Sequence, residues 1–182
     1  AAAILGESVI NQVDIVNALH EHGARYVLVG DIPNLGQTPG FSSDPATQMM
    51  AGALSEAYNQ SLANALQTSD ANIIPLNMSG LLSAAIADPA KYGFSNVTDT
   101  ACTTSALQCG PDQLVTPDAA LTYLYADDVH PSARAHEIIA SYTDSVVSAG
   151  SAVSVVGMTA NQAGLAQMQS IDRRLATVGV EP

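Results

Sequence analysis

The sequence predicts an α/β protein built on a parallel sheet with crossover helices, and three observations predict it. Segments with helical apolar spacing alternate with short apolar runs in the order helix, strand, helix, strand, helix, which is what crossover connections impose on parallel strands. The strand-like run at Tyr26, Val27, Leu28 and Val29 is continuously apolar, the habit of a strand covered on both faces. Glycines, prolines and capping carboxylates fall where such helices should begin and end.

The elements follow in order. Val9, Ile10, Val13, Val16 and Leu19 recur at helical spacing, and His22 and Gly23 supply the stop. The strand at Tyr26–Val29 then runs into a loop over 31–40, rich in glycine and proline, at its C-terminal end. Asp44 and Pro45 form an N-cap with proline at the first helical position, opening a long helix whose expected stripe is Met50, Ala53, Leu54, Ala57, Leu62, Ala65 and Leu66. Asn72–Leu76 reads as a second strand, and Leu81, Leu82, Ala85 and Ile86 as a short helix ending before Asp88 and Pro89. Residues 91–118 show no periodicity and many turn formers, so a long loop is expected there. Past Pro131, the positions Ala135, Ile138, Ile139, Tyr142 and Val146 make a closing amphipathic helix. The expected division is a main domain over 1–148, then a linker and terminal helix over 149–182, the helix carried by Leu165, Met168, Ile171 and Leu175.

Composition narrows the function. The chain has 182 residues, 47% hydrophobic and only 12% charged, which suits one globular domain. Five basic against 17 acidic residues give a net charge of -12, a poor match to a phosphate backbone, so no nucleic-acid partner is expected. Apolar runs fall well short of the ~18 residues of a membrane span, and no transmembrane segment is expected in the chain. Ala1 to Val9 lacks a basic leader, which places any export signal outside this sequence. Cys102 and Cys109 have no metal-ligand spacing around them. They are read as a disulfide closing a short loop, with free thiols as the alternative; a bridge would imply an oxidising compartment.

The chemistry points to Asp127 and His130. A carboxylate three residues before a histidine, on a loop that ends at Pro131, can fold back within one turn and accept from one ring nitrogen. The tautomer is then fixed, and the other nitrogen is free to act as a general base. Asp128 is the second choice for that orienting acid. Asp31 and Asn34, on the loop beyond the first strand, stand at the rim where open α/β sheets bind ligands and are candidate substrate contacts. His20 and His22 suit a helix end, His136 reads as structural, and Tyr123, Leu124 and Tyr125 as packing beneath the histidine loop. No metal and no organic cofactor is called for.

The block Asp127-Asp128-Val129-His130-Pro131-Ser132, followed by Ala135, His136 and an apolar helix, resembles the last conserved block of the GDSL lipases and esterases, or SGNH hydrolases. Residues 23–39 resemble the strand and loop that follow that family's oxyanion block. The subgroup most similar is the secreted esterases carried by Gram-negative autotransporters, whose loop before the histidine block also holds paired cysteines. The resemblance implies a three-layer, flavodoxin-like α/β fold with a parallel sheet, incomplete in this chain, and a serine ester hydrolase acting on ester or lipid substrates through an acyl-enzyme. It implies Asp127 and His130 as triad members, and a location secreted from, or on the outer-membrane surface of, a Gram-negative bacterium. The family's Gly-Asp-Ser-Leu block and its oxyanion Gly and Asn are missing. Gly6-Glu7-Ser8-Val9 imitates the first of these but lies in a helical pattern, which makes Ser8 a helix-initiating serine rather than a nucleophile. The expectation is that a separate N-terminal polypeptide carries the nucleophile, and that the chain is inactive alone. Alternatives are a non-catalytic secreted passenger or adhesion module with this fold, and a carbohydrate acetylesterase.

Overall fold

Helix α1, Ala2–Glu21, presents Val9 and Val16 to the first hydrophobic cluster and ends at Gly23, whose φ of +96° gives the left-handed turn that glycine tolerates best. Strand β1, Val27–Gly30, follows. The computed structural model describes residues 2–149. One unit spans Ala1–Tyr142 and a second Thr143–Pro182, of which positions 143–149 are described and are helical. The terminal helix expected through Leu165 to Leu175 lies outside the described residues.

After β1 come a short helix α2, Pro39–Ser42, and the long helix α3, Pro45–Leu66. Asp44 caps α3 by accepting the Thr47 N–H at 2.8 Å, and Pro45 takes the first turn, where a missing N–H costs nothing. Strand β2, Ile73–Leu76, pairs parallel with β1, Val27 opposite Ile73 and Gly30 opposite Leu76. Helix α4, Met78–Ala87, starts at the capping Asn77, and the single-turn helix α5, Pro89–Tyr92, closes on Gly93 at φ +83°. Strand β3, Asn96–Thr100, pairs parallel with β4, Tyr123–Tyr125, with a register shift between Asn96 and Thr100. The single-turn helix α6, Ala119–Thr122, leads into β4. A last helix, α7, covers 133–149. It is capped by the buried Ser132, whose Oγ accepts the Ala135 N–H at 3.2 Å.

Among the described residues the chain is therefore mixed α/β with two short parallel strand pairs. Each pair carries its own hydrophobic cluster. Val9, Val16, Val27, Val29 and Leu62 join α1, β1 and α3. Leu82, Ala85, Phe94, Leu124, Tyr125 and Ala135 join α4, β4 and α7. Full burial of side chains of this size stabilises by roughly 1.5–3 kcal/mol apiece.

Four expectations are corrected. Strand β1 is covered on one face only: Val27 and Val29 are buried against α1 and α3, whereas Leu28 is 42% exposed and Tyr26 63%. The first half of the α3 stripe is rotated: Met50, Ala53, Leu54 and Ala57 are exposed and Ala51 and Ser55 buried, because this half receives a loop through polar contacts. Leu62, Ala65 and Leu66 pack in the first cluster as expected. The stretch 91–118 contains β3, whose sequence Asn-Val-Thr-Asp-Thr has no apolar period, and Tyr123–Tyr125 forms its partner strand as well as packing. Ser8 lies inside α1 rather than at its start, its hydroxyl donating to the Ile4 carbonyl at 2.9 Å.

Candidate active site

Strand β4 delivers the chain into a tight loop at its C-terminal end. The loop closes where Tyr125 pairs with Pro131 and the Ala126 N–H donates to the His130 carbonyl at 2.8 Å. Asp127 organises the turn. Its Oδ1 accepts the backbone N–H groups of Val129 at 3.1 Å and His130 at 2.9 Å, the local bonding that short carboxylates favour in turns. The same carboxylate meets His130 Nδ1 at 2.9 Å from each oxygen. Its Oδ2 also accepts the Ala106 N–H at 2.7 Å.

These bonds set the electrostatics. Burial pushes the Asp127 carboxyl up, but the N–H groups of Ala106, His130 and Val129 and the His130 side chain together outweigh it, holding the carboxyl well below the usual carboxylate range. An ionised Asp127 accepts, so a neutral His130 carries its proton on Nδ1 and keeps a lone pair on Nε2. Asp127 is 13% exposed and His130 55%, so the acid is enclosed while the imidazole is presented outward. A carboxylate-held imidazole with one basic nitrogen free can take a proton from a hydroxyl or a water placed within hydrogen-bond reach.

The loop after β1 is seated against this turn. The buried Tyr125 hydroxyl donates to the Gln37 carbonyl at 3.2 Å, and burial pushes that phenol up to about 12. The Gly40 N–H donates to the Asp128 carbonyl at 2.9 Å, and a Cβ on Gly40 would stand 3.1 Å from Asp128 Cβ, a close approach that suits glycine. Asn59 holds the other end of the loop, accepting the Ile32 N–H at 2.9 Å and donating to the Ile32 carbonyl at 2.8 Å. Ser55 Oγ accepts the Leu35 N–H at 3.1 Å. Tyr125 lies buried beneath the histidine loop, where the sequence reading put it, whereas Gly40, Asn59 and Ser55 were not singled out from sequence. A usable signal was the pair of polar residues at i and i+4 on α3 where an apolar stripe was expected.

Asp127 and His130 are brought together; Asp128 makes no side-chain contact with the imidazole that competes with Asp127. Asp31 and Asn34 turn to other partners. Asp31 Oδ1 accepts the Ser79 N–H at 2.9 Å, fastening the end of β1 to the start of α4. Asn34 Oδ1 accepts the Gly36 N–H at 2.9 Å and caps a turn over Leu35–Gln37. Asn34 also lines a cleft of about 810 Å3 together with Gln37, Gln48, Ser55 and Asn59. A second cleft of about 510 Å3 lies beside Asp127, with Thr100, Cys102, Ser105 and Asp128 among its walls. Cys102 and Cys109 are joined by a disulfide. His136 Nδ1 sits 2.9 Å from the Ser132 carbonyl, and His22 Nδ1 2.8 Å from that of Ala18. Among the described residues, no three His, Cys, Asp or Glu side chains converge to hold a metal, and no helix is long and apolar enough to cross a membrane.

An α/β chain that presents a carboxylate-held imidazole from the loop after a parallel strand has the acid–base equipment of a hydrolase. Comparison with known proteins makes this specific: residues 6–143 match the family described as GDSL-like lipase/acylhydrolase, and the chain belongs to it. It is 37% identical over 132 residues to Esterase EstA of Pseudomonas aeruginosa, a match covering 69% of this chain and 20% of that protein. It is 34% identical over 128 residues to Lipase 1 of Photorhabdus luminescens, covering 64% and 20%. It is 27% identical over 158 residues to GDSL esterase/lipase At2g40250 of Arabidopsis thaliana, covering 75% and 43%. The chain thus spans about a fifth of these bacterial relatives and less than half of the plant one.

Proposed function

We propose that this chain supplies the acid–base half of a serine ester hydrolase. His130 acts as the general base and Asp127 as the residue that orients it, while the serine nucleophile and the oxyanion donors reside on a segment N-terminal to Ala1. The observation that carries this reading is the position of His130 Nδ1 in the fork of the Asp127 carboxylate, 2.9 Å from both oxygens, with the ring presented outward. Two of the bacterial relatives that match the chain bear the names esterase and lipase. In this mechanism the serine oxygen attacks the ester carbonyl carbon as its proton passes to His130 Nε2. The tetrahedral adduct expels the alcohol, which takes that proton, leaving an acyl-serine. Water then repeats the sequence: its proton goes to His130, the acid departs, and the serine is regenerated. Asp127 stays ionised throughout and stabilises the imidazolium.

The isolated chain then turns over esters far more slowly than the full-length protein. The Cys102–Cys109 bond supports an oxidising location, secreted or on the outer-membrane surface of a Gram-negative bacterium, in the manner of an autotransporter passenger. The test is hydrolysis of a short-chain 4-nitrophenyl ester by the full-length protein and by its His130→Ala variant. Loss of about a thousandfold or more in kcat is expected for the variant. Equal rates for the two proteins overturn the site.

A further inference from the structure

The Cys102–Cys109 loop touches Asp127, the orienting acid of the proposed site. The disulfide closes residues 102–109 into a ring, and within it Ser105 caps a single 3-10 turn over Ala106–Gln108. The first N–H of that turn, from Ala106, donates to Asp127 Oδ2 at 2.7 Å, the shortest of the bonds that reach this carboxylate. The ring is also fastened to the histidine loop at its base, where the Cys102 N–H donates to the Ala126 carbonyl at 2.9 Å.

We propose that the disulfide is a positioning element for the Asp127–His130 pair: by closing the 102–109 loop it holds the Ala106 N–H against Asp127 and so fixes the carboxylate that fixes the imidazole. Oδ1 is committed to the backbone of its own turn, at Val129 and His130. Among the described residues Oδ2 has one backbone donor, and it comes from a segment distant in sequence. Thr103 is held from outside the ring, its N–H and hydroxyl donating to the Gln113 carbonyl at 2.8 and 3.0 Å, so the part that opening the disulfide frees runs from Thr104 to Gln108, where fixing each residue's backbone costs about 1–2 kcal/mol. The charged and titratable groups around the carboxylate are His130, in direct contact, and Asp128, its chain neighbour. The loop packed against it contributes Thr103, Thr104 and Ser105, none of which is charged. The Ala106 N–H thus shares Oδ2 with His130 Nδ1 and meets no charged side chain from its own loop.

This inference rests on the reading of His130 as the base, and two variants of the full-length protein test it from opposite ends. Cys102→Ser combined with Cys109→Ser opens the ring while keeping the Ala106 N–H as a donor, free to leave Asp127. Ala106→Pro keeps the ring and removes the N–H. Proline suits the first position of the turn, and Ser105 already has the extended conformation, ψ 143°, that a following proline requires. Histidine-selective 15N NMR, with the His130 signal assigned by its absence in His130→Ala, reads which ring nitrogen carries the proton. In the unaltered protein the Nδ1–H tautomer dominates. In both variants the population moves toward Nε2–H, and kcat on the 4-nitrophenyl ester falls about tenfold with KM unchanged, the size expected for one hydrogen bond to a charged group.

A tautomer that stays put in either variant, with the protein still folded by its melting curve, overturns the proposal. If the double cysteine variant does not fold, Ala106→Pro decides alone. Should the unaltered protein hydrolyse no ester, the esterase reading fails, yet the NMR result still decides whether the disulfide loop sets the state of His130.

Discussion

The two strand pairs are held in different ways. Around β1 and β2 the ordering elements are helices of 20 and 22 residues, and they cover one side of the strand while Leu28, and on α1 Ile10, Ile15 and Leu19, stay exposed. Around β3 and β4 a second apolar cluster packs the strands, but the loop beyond β4 takes its position from discrete polar bonds: Asp127 to three backbone N–H groups, Tyr125 to Gln37, Gly40 to Asp128. The candidate chemistry sits in the second region. Apolar packing places a helix to within what side-chain shape allows, whereas a hydrogen bond fixes a particular atom, and acid–base chemistry needs the atom.

Truncation in each cluster probes that contrast most strongly. Leu62 and Leu124 are 3% and 1% exposed, one in each cluster, and replacing either by alanine is expected to cost about 2–5 kcal/mol in urea unfolding followed by circular dichroism. The two should differ in activity per folded molecule. Leu124→Ala, next to Tyr125 beneath the histidine turn, lowers kcat of the full-length protein several-fold, and Leu62→Ala leaves it unchanged. Equal losses would erase the distinction between the two regions.

Acid sharpens the comparison at a smaller scale. The Asp127 carboxyl is held low in the folded state, so its contribution to stability is complete well above the unfolded value of about 3.9. It declines as pH falls through that value, where only the unfolded chain takes up a proton, and is gone once pH passes below the folded value. The melting-temperature gap between the protein and Asp127→Asn should therefore be widest near neutrality and narrow below about pH 4. Asp44, held low by the Thr47 hydroxyl and N–H at the cap of α3, has the same sign. Leu62→Ala, which removes no titrating group, should show a gap with no such acid collapse. A constant gap for Asp127→Asn across that range would mean that the turn gains nothing from the ionised carboxylate.

How much of this was legible follows from what kind of force holds each part. Helices α1, α3 and α4 were readable because their caps and stops, Asp44-Pro45 and Gly23, act through local geometry, and β1 and β2 because they are apolar. The Asp127–His130 contact was readable because its partners lie three residues apart. Strand β3 was not, since Asn96 spends its side chain on the N–H groups of Thr98 and Asp99 and the strand carries no period-two pattern. Nor was the Ala106 bond to Asp127, which spans 21 residues and involves a backbone group that any side chain would leave unchanged. The face of β1 was misjudged because a continuous apolar run reports what a strand can bury, not what is present to cover it.

The smallest expected effect tests the join between the two regions. Tyr125 is buried in the second cluster, yet its hydroxyl donates to Gln37 at the end of a loop that Asn59 and Ser55 anchor to α3 in the first. Tyr125→Phe deletes that hydroxyl and keeps the ring, so the loss should be about 0.5–1.5 kcal/mol in urea unfolding, with the hydrophobic contribution intact. The Gln37 carbonyl can turn to solvent, since Gln37 lines an open cleft, which keeps the cost toward the low end of that range. If the two regions are coupled through this bond, the ester-hydrolysis defect of Tyr125→Phe combined with Gly40→Ala exceeds the product of the single defects, because either bond alone still holds the loop to the histidine turn. Strictly multiplicative defects would mean that the turn is positioned from within its own region, by Asp127 and the disulfide loop alone.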